Sequence, residues 1–435
     1  MIASVIICAL TCLLMIFAVL WVPTVKLGRV TLDSYPLVTL AGAGVLLLSG
    51  KADLSQVVSA LTENSEVNPL KILILFISMT VLSIFLDELG FFSYLASVTL
   101  KRAGTSQRRL FFYLYATVSV LTVFTSNDII ILSFTPFICY FAKNAKISPI
   151  PYLAAEFVAA NTWSMALIIG NPTNIYLTTA YGIDFFEYLR VMLVPTLCAG
   201  ATALLILYLL FRRKLGEPIS APAQKTARLE NRLLLTLGIV HLAVCTVILA
   251  IGSYIGVEMW LVALFSAVSL TVATLAISLV RHRAPLQLGH SFRRAPWQLV
   301  PFVLSMFVMV IALASCGFTA RIAEVLGEEL GVYKYGLSSF LLANVVNNIP
   351  MSVLFSSVVE NVDATLARAD VFATVIGSNL GAFMTPIGAL AGIMWSGMLK
   401  EQGIKFGYLD FLKIGVTVAL PTLAVALFSL SFTVL

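Results

Sequence analysis

Charged side chains are scarce in this sequence. Asp, Glu, Lys and Arg make up 11% of its 435 residues, while apolar residues make up 60%; an average soluble protein is roughly 25% charged. So few charges cannot wet the surface of a soluble fold of this size, which excludes a soluble enzyme, a nucleic-acid binder and a disordered chain. Histidine is nearly missing, with 3 residues, and the 6 cysteines (Cys8, Cys12, Cys139, Cys198, Cys245 and Cys316) form no CxxC pair or Cys/His cluster. That excludes a zinc or disulfide framework. HExxH and GxGD are missing and only His241 lies within an apolar run, which argues against an intramembrane hydrolase. No catalytic residue, metal site or cofactor is assigned beyond a coupling proton or sodium ion. The first residues lack a basic n-region and a small-residue cleavage site, so 2–22 reads as a first membrane span and not as a signal peptide.

What the chain has is long apolar runs, at 2–22, 36–50, 72–88, 149–180, 191–211, 233–252, 257–280, 298–316, 371–399 and 410–434. They predict an all-α polytopic membrane protein with about ten transmembrane helices. Lys and Arg gather after 211 (Arg212, Arg213, Lys214, Lys225, Arg228, Arg232) and after 280 (Arg281, Arg283, Arg293, Arg294), which makes both loops cytoplasmic. The Gly252-Ser253-Tyr254 turn between them is external. Walking outwards from there, Lys26, Arg29, Lys101, Arg102, Arg108, Arg109, Lys143, Lys146, Lys400 and Lys405 fall inside. The acid-bearing loops with Asp53, Glu63, Glu66, Asp184, Glu187, Glu324, Glu360, Asp363 and Asp370 fall outside, as does the N-terminus. The expected location is the plasma membrane.

Two apolar stretches are too short to cross twice. Residues 110–142 are interrupted at Thr125-Ser126-Asn127-Asp128, with arms of about 15 and 14 residues, or roughly 22 Å at 1.5 Å per residue. Residues 335–359 are interrupted at Asn347-Asn348-Ile349-Pro350, with still shorter arms. Both read as re-entrant hairpins with polar tips near midplane. Two true spans also break, 149–180 at Gly170-Asn171-Pro172-Thr173-Asn174 and 371–399 at Thr385-Pro386-Ile387-Gly388, because proline removes a helical N–H and clashes with the preceding turn. Unwound backbone at that depth is tolerated only against protein or a water-filled cavity.

The order of three spans, a hairpin, a broken span and a last span occurs twice. The halves are 1–211 and 233–435, joined by a basic cytoplasmic linker at 212–232. An odd number of crossings per half makes the repeats inverted. Gly90-Phe91 before the first hairpin echoes Gly317-Phe318 before the second. Broken helices meeting at midplane are a secondary-transporter architecture, in which helix N-termini and free carbonyls bind a small solute by alternating access. Ser126, Asn127, Asn347 and Asn348 at the tips, and Asn171, Thr173, Asn174 and Thr385 at the breaks, are the candidate substrate residues; the plainer reading is hairpin and helix capping. Asp128 and Glu156 are the candidate coupling carboxyls, because an acid at midplane is costly unless neutralised. The plainer readings are an N-cap for Asp128 and an interfacial acid reaching Lys146 for Glu156. Asp87 and Glu88 read as a solvated helix end. Residues 91–104 and 318–331 read as interfacial helices bracing the hairpins.

The motifs LDELGFF (86–92), SNDIIILSFTP (126–136), IGNPTNIYL (169–177), NNIP (347–350) and IGSNLGAFMTPIGALAGIMW (376–395) resemble the ion-transporter superfamily. Within it they are most similar to the arsenical-pump membrane proteins, the arsenite/antimonite permeases. The resemblance implies efflux of arsenite and antimonite by proton antiport, and in some relatives a docked cytosolic ATPase. It leads one to expect acids at the positions of Asn161 and Asn379, where this chain has amides; NPTN is closer to the citrate, dicarboxylate and sodium/proton branches, which keeps sodium-driven citrate or dicarboxylate uptake and sodium/proton antiport as alternatives. The expected partners are the lipid bilayer, a small inorganic or carboxylate solute, an ATPase and a second copy of the chain as a homodimer, with no nucleic acid.

Overall fold

The computed structural model describes residues 1–435 apart from 23, 28–29, 65–67, 220–228, 230, 253–254, 283 and 435. Arg29, Glu66, Lys225, Arg228, Arg283 and the Ser253-Tyr254 turn lie outside the described residues.

The first half opens with α1 (Ile2–Trp21), α2 (Ser34–Leu48), a short α3 (Leu54–Thr62), α4 (Pro69–Glu88) and α5 (Phe91–Ala103). Then come α6 (Gln107–Phe124), α7 (Asn127–Ala145), α8 (Ile150–Trp163), α9 (Pro172–Ala180) and α10 (Phe185–Phe211). The second half runs through α11 (Arg232–Gly252), α12 (Met259–Val280), a short α13 (Leu286–Arg294), α14 (Leu299–Ser315) and α15 (Phe318–Leu326). It closes with α16 (Gly331–Val346), α17 (Asn348–Val359), α18 (Ala364–Gly381), α19 (Leu390–Glu401) and α20 (Tyr408–Leu430). Among the described residues, 7 helical segments are long and apolar enough to cross a membrane by length and composition. The other three expected spans are the 15-residue α2 and the two broken helices.

Local chemistry sets the ends. Asn68 caps α4 through Leu70 N at 2.9 Å, with Pro69 at its first position. Asp184 caps α10 through Phe186 N and Glu187 N, both 2.8 Å. Gly90 and Gly317, the echoed pair, share one left-handed conformation (φ 77, ψ 16 and φ 77, ψ 12) just before α5 and α15, a backbone that glycine adopts without a Cβ penalty.

Two buried apolar cores result. A smaller one joins α1, α2 and α14 to Leu73 and Phe76 of α4; the larger one holds the hairpins, the broken helices, α10, α11, α12 and α20. The third helices are exchanged, so that α4 packs on α11 and α12 while α14 packs on α1 and α2. The same joint recurs at their ends. Lys71 of α4 pairs with Glu258, which precedes α12. Gln298 before α14 accepts from Asp33 N, which precedes α2, at 2.7 Å.

Several expectations change. The fold is all-α as expected, with one short addition, since Thr24–Leu27 and Val30–Asp33 pair as an antiparallel ribbon; a TVKL/VTLD pattern rich in β-branched residues favours that pairing. The hairpin arms are longer than expected. Those of the first hairpin have 18 and 19 residues, about 27 and 28 Å, and those of the second have 16 and 12. Buried Gln107 extends α6 ahead of its apolar run, and α16 starts at Gly331, ahead of residue 335. Asp87 and Glu88 are not a solvated end, since Arg294 of α13 bonds both, at 2.7 and 2.5 Å, and His290 lies 3.1 Å from Glu88. Segments assigned to one face meet one another: Ile219 N donates to Thr105 O at 3.0 Å on the basic side, and on the acidic side Lys71, Asp184 and Glu258 line one cleft of about 290 Å³.

Candidate functional site

In the first broken helix, α8 ends at Trp163, and the chain makes two short 3-10 turns before α9 restarts at Pro172. Proline at the first position of α9 needs no N–H partner. Asn171 caps α9, its Oδ1 accepting from Thr173 N at 3.2 Å and Thr173 Oγ1 at 3.1 Å. The carbonyls freed by the break are satisfied internally, with Asn174 Nδ2 donating to Ser164 O (2.8 Å) and Leu167 O (3.1 Å).

Asn379 of α18, fully buried, is the centre of the site. Its Oδ1 accepts from Ser164 Oγ at 2.8 Å and Asn171 Nδ2 at 3.0 Å, and its Nδ2 donates to Asn174 Oδ1 at 2.7 Å. One side chain of the second half thus binds three residues of the first. Each hairpin tip joins from its own side. Asn127 Nδ2 donates to Asn161 Oδ1 at 3.1 Å. Asn347 Nδ2 donates to Ile387 O at 3.1 Å, and Asn348 N to Gly388 O at 3.0 Å. Ser352 Oγ, one turn on, lies 3.3 Å from Ser378 Oγ, next to Asn379.

Polar groups in a protein interior are nearly always paired. At the first tip two are not: among the described residues, buried Ser126 Oγ and Asn127 Oδ1 have no hydrogen-bond partner. A hydroxyl and a carbonyl left free together offer a donor and an acceptor to a solute. A small cavity of about 20 Å³, lined by Thr173 and Ser352, adjoins the network and shares Ile72 with the 290 Å³ cleft.

Of the residues singled out in sequence, Asn127, Asn171, Thr173, Asn174, Asn347 and Asn348 come together around the two breaks. Thr385 stands apart, its Oγ1 donating to Asn344 Oδ1 at 2.8 Å. Asp128 is not the N-cap, a position Ser126 holds; Asp128 lies in the first turn of α7, half-buried, with no hydrogen bond to the network among the described residues. Glu156 is neither interfacial nor paired with Lys146. It is fully buried, and Thr135 Oγ1 faces both of its oxygens at 3.0 and 3.1 Å. Trp395 of α19 packs on the neighbouring Phe157, ring centroids 4.9 Å apart.

Asn161, Ser164, Asn379, Ser352 and Ser378 belong to the network, and Asn344 pairs with the separate Thr385; none was among the sequence candidates. A signal for the central pair was available: Asn161 precedes Gly170 by the same interval as Asn379 precedes Gly388.

Residues 2–377 match the citrate transporter family. The chain is 28% identical over 376 residues to the arsenical pump membrane protein of Escherichia coli, covering 82% of this chain and 85% of that one. It is 28% identical over 373 residues to the protein of that name from Yersinia enterocolitica, with the same coverage. The YdaH transporter of Alcanivorax borkumensis has the same fold, with a TM-score of 0.59 at 14% identity over 99% of this chain and 98% of that one. The chain belongs to the citrate transporter family and is a multi-pass membrane transporter, not an enzyme.

Proposed function

We propose, from the likeness to the arsenical pump membrane proteins, that the protein exports arsenite and antimonite in exchange for protons, by alternating access of two inverted repeats in the plasma membrane, with its N-terminus outside. The observation that carries this reading is the uncharged network around Asn379, with Ser126 Oγ and Asn127 Oδ1 left unpaired beside it. Amides and hydroxyls that both donate and accept suit a neutral hydroxide, the form arsenite takes near neutral pH. Among the described residues no Lys or Arg bonds to these groups to favour a dianion.

Ser126, Asn127, Asn171, Thr173, Asn174, Asn347, Asn348 and Thr385 form or shape the solute site, and Asp128 and Glu156 bind the coupling proton. Two features support protons over sodium. The carbonyls of Ser164 and Leu167 freed by the break already accept from the Asn174 amide, which makes them weaker oxygen ligands for a sodium ion. Glu156 is buried with a hydroxyl and no cation among the described residues, and a carboxyl so placed is held neutral by a proton.

Everted vesicles carrying the protein test this reading. A pH gradient is expected to drive arsenite uptake, while a sodium gradient drives neither arsenite nor citrate. Citrate movement driven by sodium, with arsenite indifferent to both gradients, would reverse the assignment.

A further inference from the structure

A second buried carboxyl, at the opposite end of the hairpin and broken-helix bundle, has no role in the network described above. Asp370 lies within α18, on the N-terminal side of Asn379, and is 2% exposed, yet its Oδ2 has no hydrogen-bond partner among the described residues. The hydroxyl of Tyr335, on the adjacent α16, is also buried without a partner. An acceptor lacking a donor and a donor lacking an acceptor therefore share one interior region, which is costly for both unless a mobile proton or water serves them.

The surroundings do not neutralise the acid. Arg368 on the same helix is paired with Glu187 of α10. From α16 and the segment before it come Tyr335 and Glu328, with Lys334 beside Gly327; from α9 comes Tyr176 and from just beyond it Tyr181, and from the end of α17 comes Glu360. Tyr181 OH is engaged by Ser356 O at 2.6 Å. α20 abuts Phe383 and Met384 at Gly415, which leaves its Asp410 and Lys413 beyond the break. The ionisable groups of α8 are bound elsewhere, Tyr152 to Gln107 and Glu156 to Thr135. Tyrosines and acids thus surround Asp370; Lys334 is the one cation named among these neighbours, and among the described residues neither it nor any other Lys or Arg forms an ion pair with Asp370.

We propose that Asp370, with Tyr335 and Tyr181 about it, is a second proton-binding carboxyl that exchanges with the external solution, in series with Glu156 on the other side of the Asn379 network. The assignment of the external side rests on the orientation proposed above; the binding of a proton at Asp370 does not.

Two readouts separate these claims. The first is infrared absorption of protonated carboxyl groups in the purified protein as pH is varied, with no substrate present. Asp370→Asn should remove one titrating component and Glu156→Gln another. An unchanged titration in Asp370→Asn overturns the proposal. The second is flux in vesicles with arsenite and citrate as probes. Asp370→Asn should lose about tenfold of pH-driven flux while substrate exchange at equal pH stays within about twofold, and Asp370→Glu should restore the drive. Equal loss of both modes marks Asp370 as structural and also overturns the proposal. Should Asp370→Asn fail to fold, Tyr335→Phe replaces it: a shifted titration midpoint is expected, and an unmoved one counts against the idea. If neither probe is carried by the wild type but the infrared component vanishes in the variant, the substrate reading falls and Asp370 stands.

Discussion

The two halves break their helices at matching points but fill the breaks differently. Counting back from the restarts at Pro172 and Leu390 aligns Asn161 with Asn379 and Gly170 with Gly388. Asn171, Thr173 and Asn174 of the first break then fall opposite Ala389, Ala391 and Gly392, and Glu156 opposite Thr374. Aligning the tips at Asn127 and Asn348 sets Asp128 opposite Ile349. The first half therefore carries the polar side chains, both candidate coupling acids and the unpaired tip atoms. The second half substitutes backbone and close packing. Its tip bonds the carbonyls of Ile387 and Gly388 directly, and a Cβ on Gly377 would fall on Ser339 Oγ and Gly336 O. Of the two amides at matched positions, Asn379 crosses to the other half while Asn161 stays within its own. The difference teaches that a repeated fold can divide labour at its matched breaks and tips, one copy supplying mainly side chains there and the other mainly backbone, while Asp370 in the second half has Tyr152 opposite it in the first.

The largest effect is expected from Asn379→Ala, which strands Ser164, Asn171 and Asn174 at once. A loss of about 4 kcal/mol in stability and near-complete loss of transport should follow, against about 2 kcal/mol for Asn161→Ala; thermal unfolding in detergent and vesicle flux read both. Equal losses would dissolve the asymmetry. Next, Gly377→Val should cost about 3 kcal/mol through overpacking against α16, and Ala159→Val at the matched site of the first half less. Glu156→Gln should then lower pH-driven flux about tenfold while sparing exchange, whereas Thr374→Val opposite it should leave the pH profile in place. Asn171→Ala copies the second half's Ala389 into the first; it loses a cap and one bond to Asn379, about 1 kcal/mol, visible as a lower unfolding midpoint and weaker apparent solute affinity.

The smallest effect concerns the exchanged third helices. Lys71 holds the Glu258 carboxyl below the usual glutamate range, chiefly by hydrogen bonding. A carboxyl with a depressed folded pKa contributes stability above its unfolded value and loses it as pH falls through the folded one. Lys71→Met should therefore slightly lower the unfolding midpoint at neutral pH and have no effect once pH falls below that range. Gln298→Leu, at the neutral counterpart joint with Asp33 N, should show the same loss at both pH values.

Much of the architecture was legible in the sequence because the bilayer imposes it. Apolar runs gave the helices; the polar interruptions at Asn127 and Asn348 gave the turns between paired arms, and Pro172 and Pro386 gave the breaks. The ribbon at 24–33 was hidden because pairing of two four-residue strands depends on how their backbones meet. Arg294 and Asp87 are far apart in sequence, so their pairing was hidden for the same reason. The site was half legible. Its polar tips and breaks stood out against apolar surroundings, while Ser164, Ser352 and Ser378 looked like ordinary helix residues, since a helical serine commonly bonds back to its own turn.

The sequence alone determined that lipid is the solvent and where helices break, because hydropathy and proline act locally along the chain. Tertiary structure alone decided that Asn379 joins both halves, that Glu156 faces Thr135 and not Lys146, and that Asp370 Oδ2 is buried with no hydrogen-bond partner among the described residues. A side chain's partner depends on which helices pack together, and packing is a property of surfaces brought from distant parts of the chain.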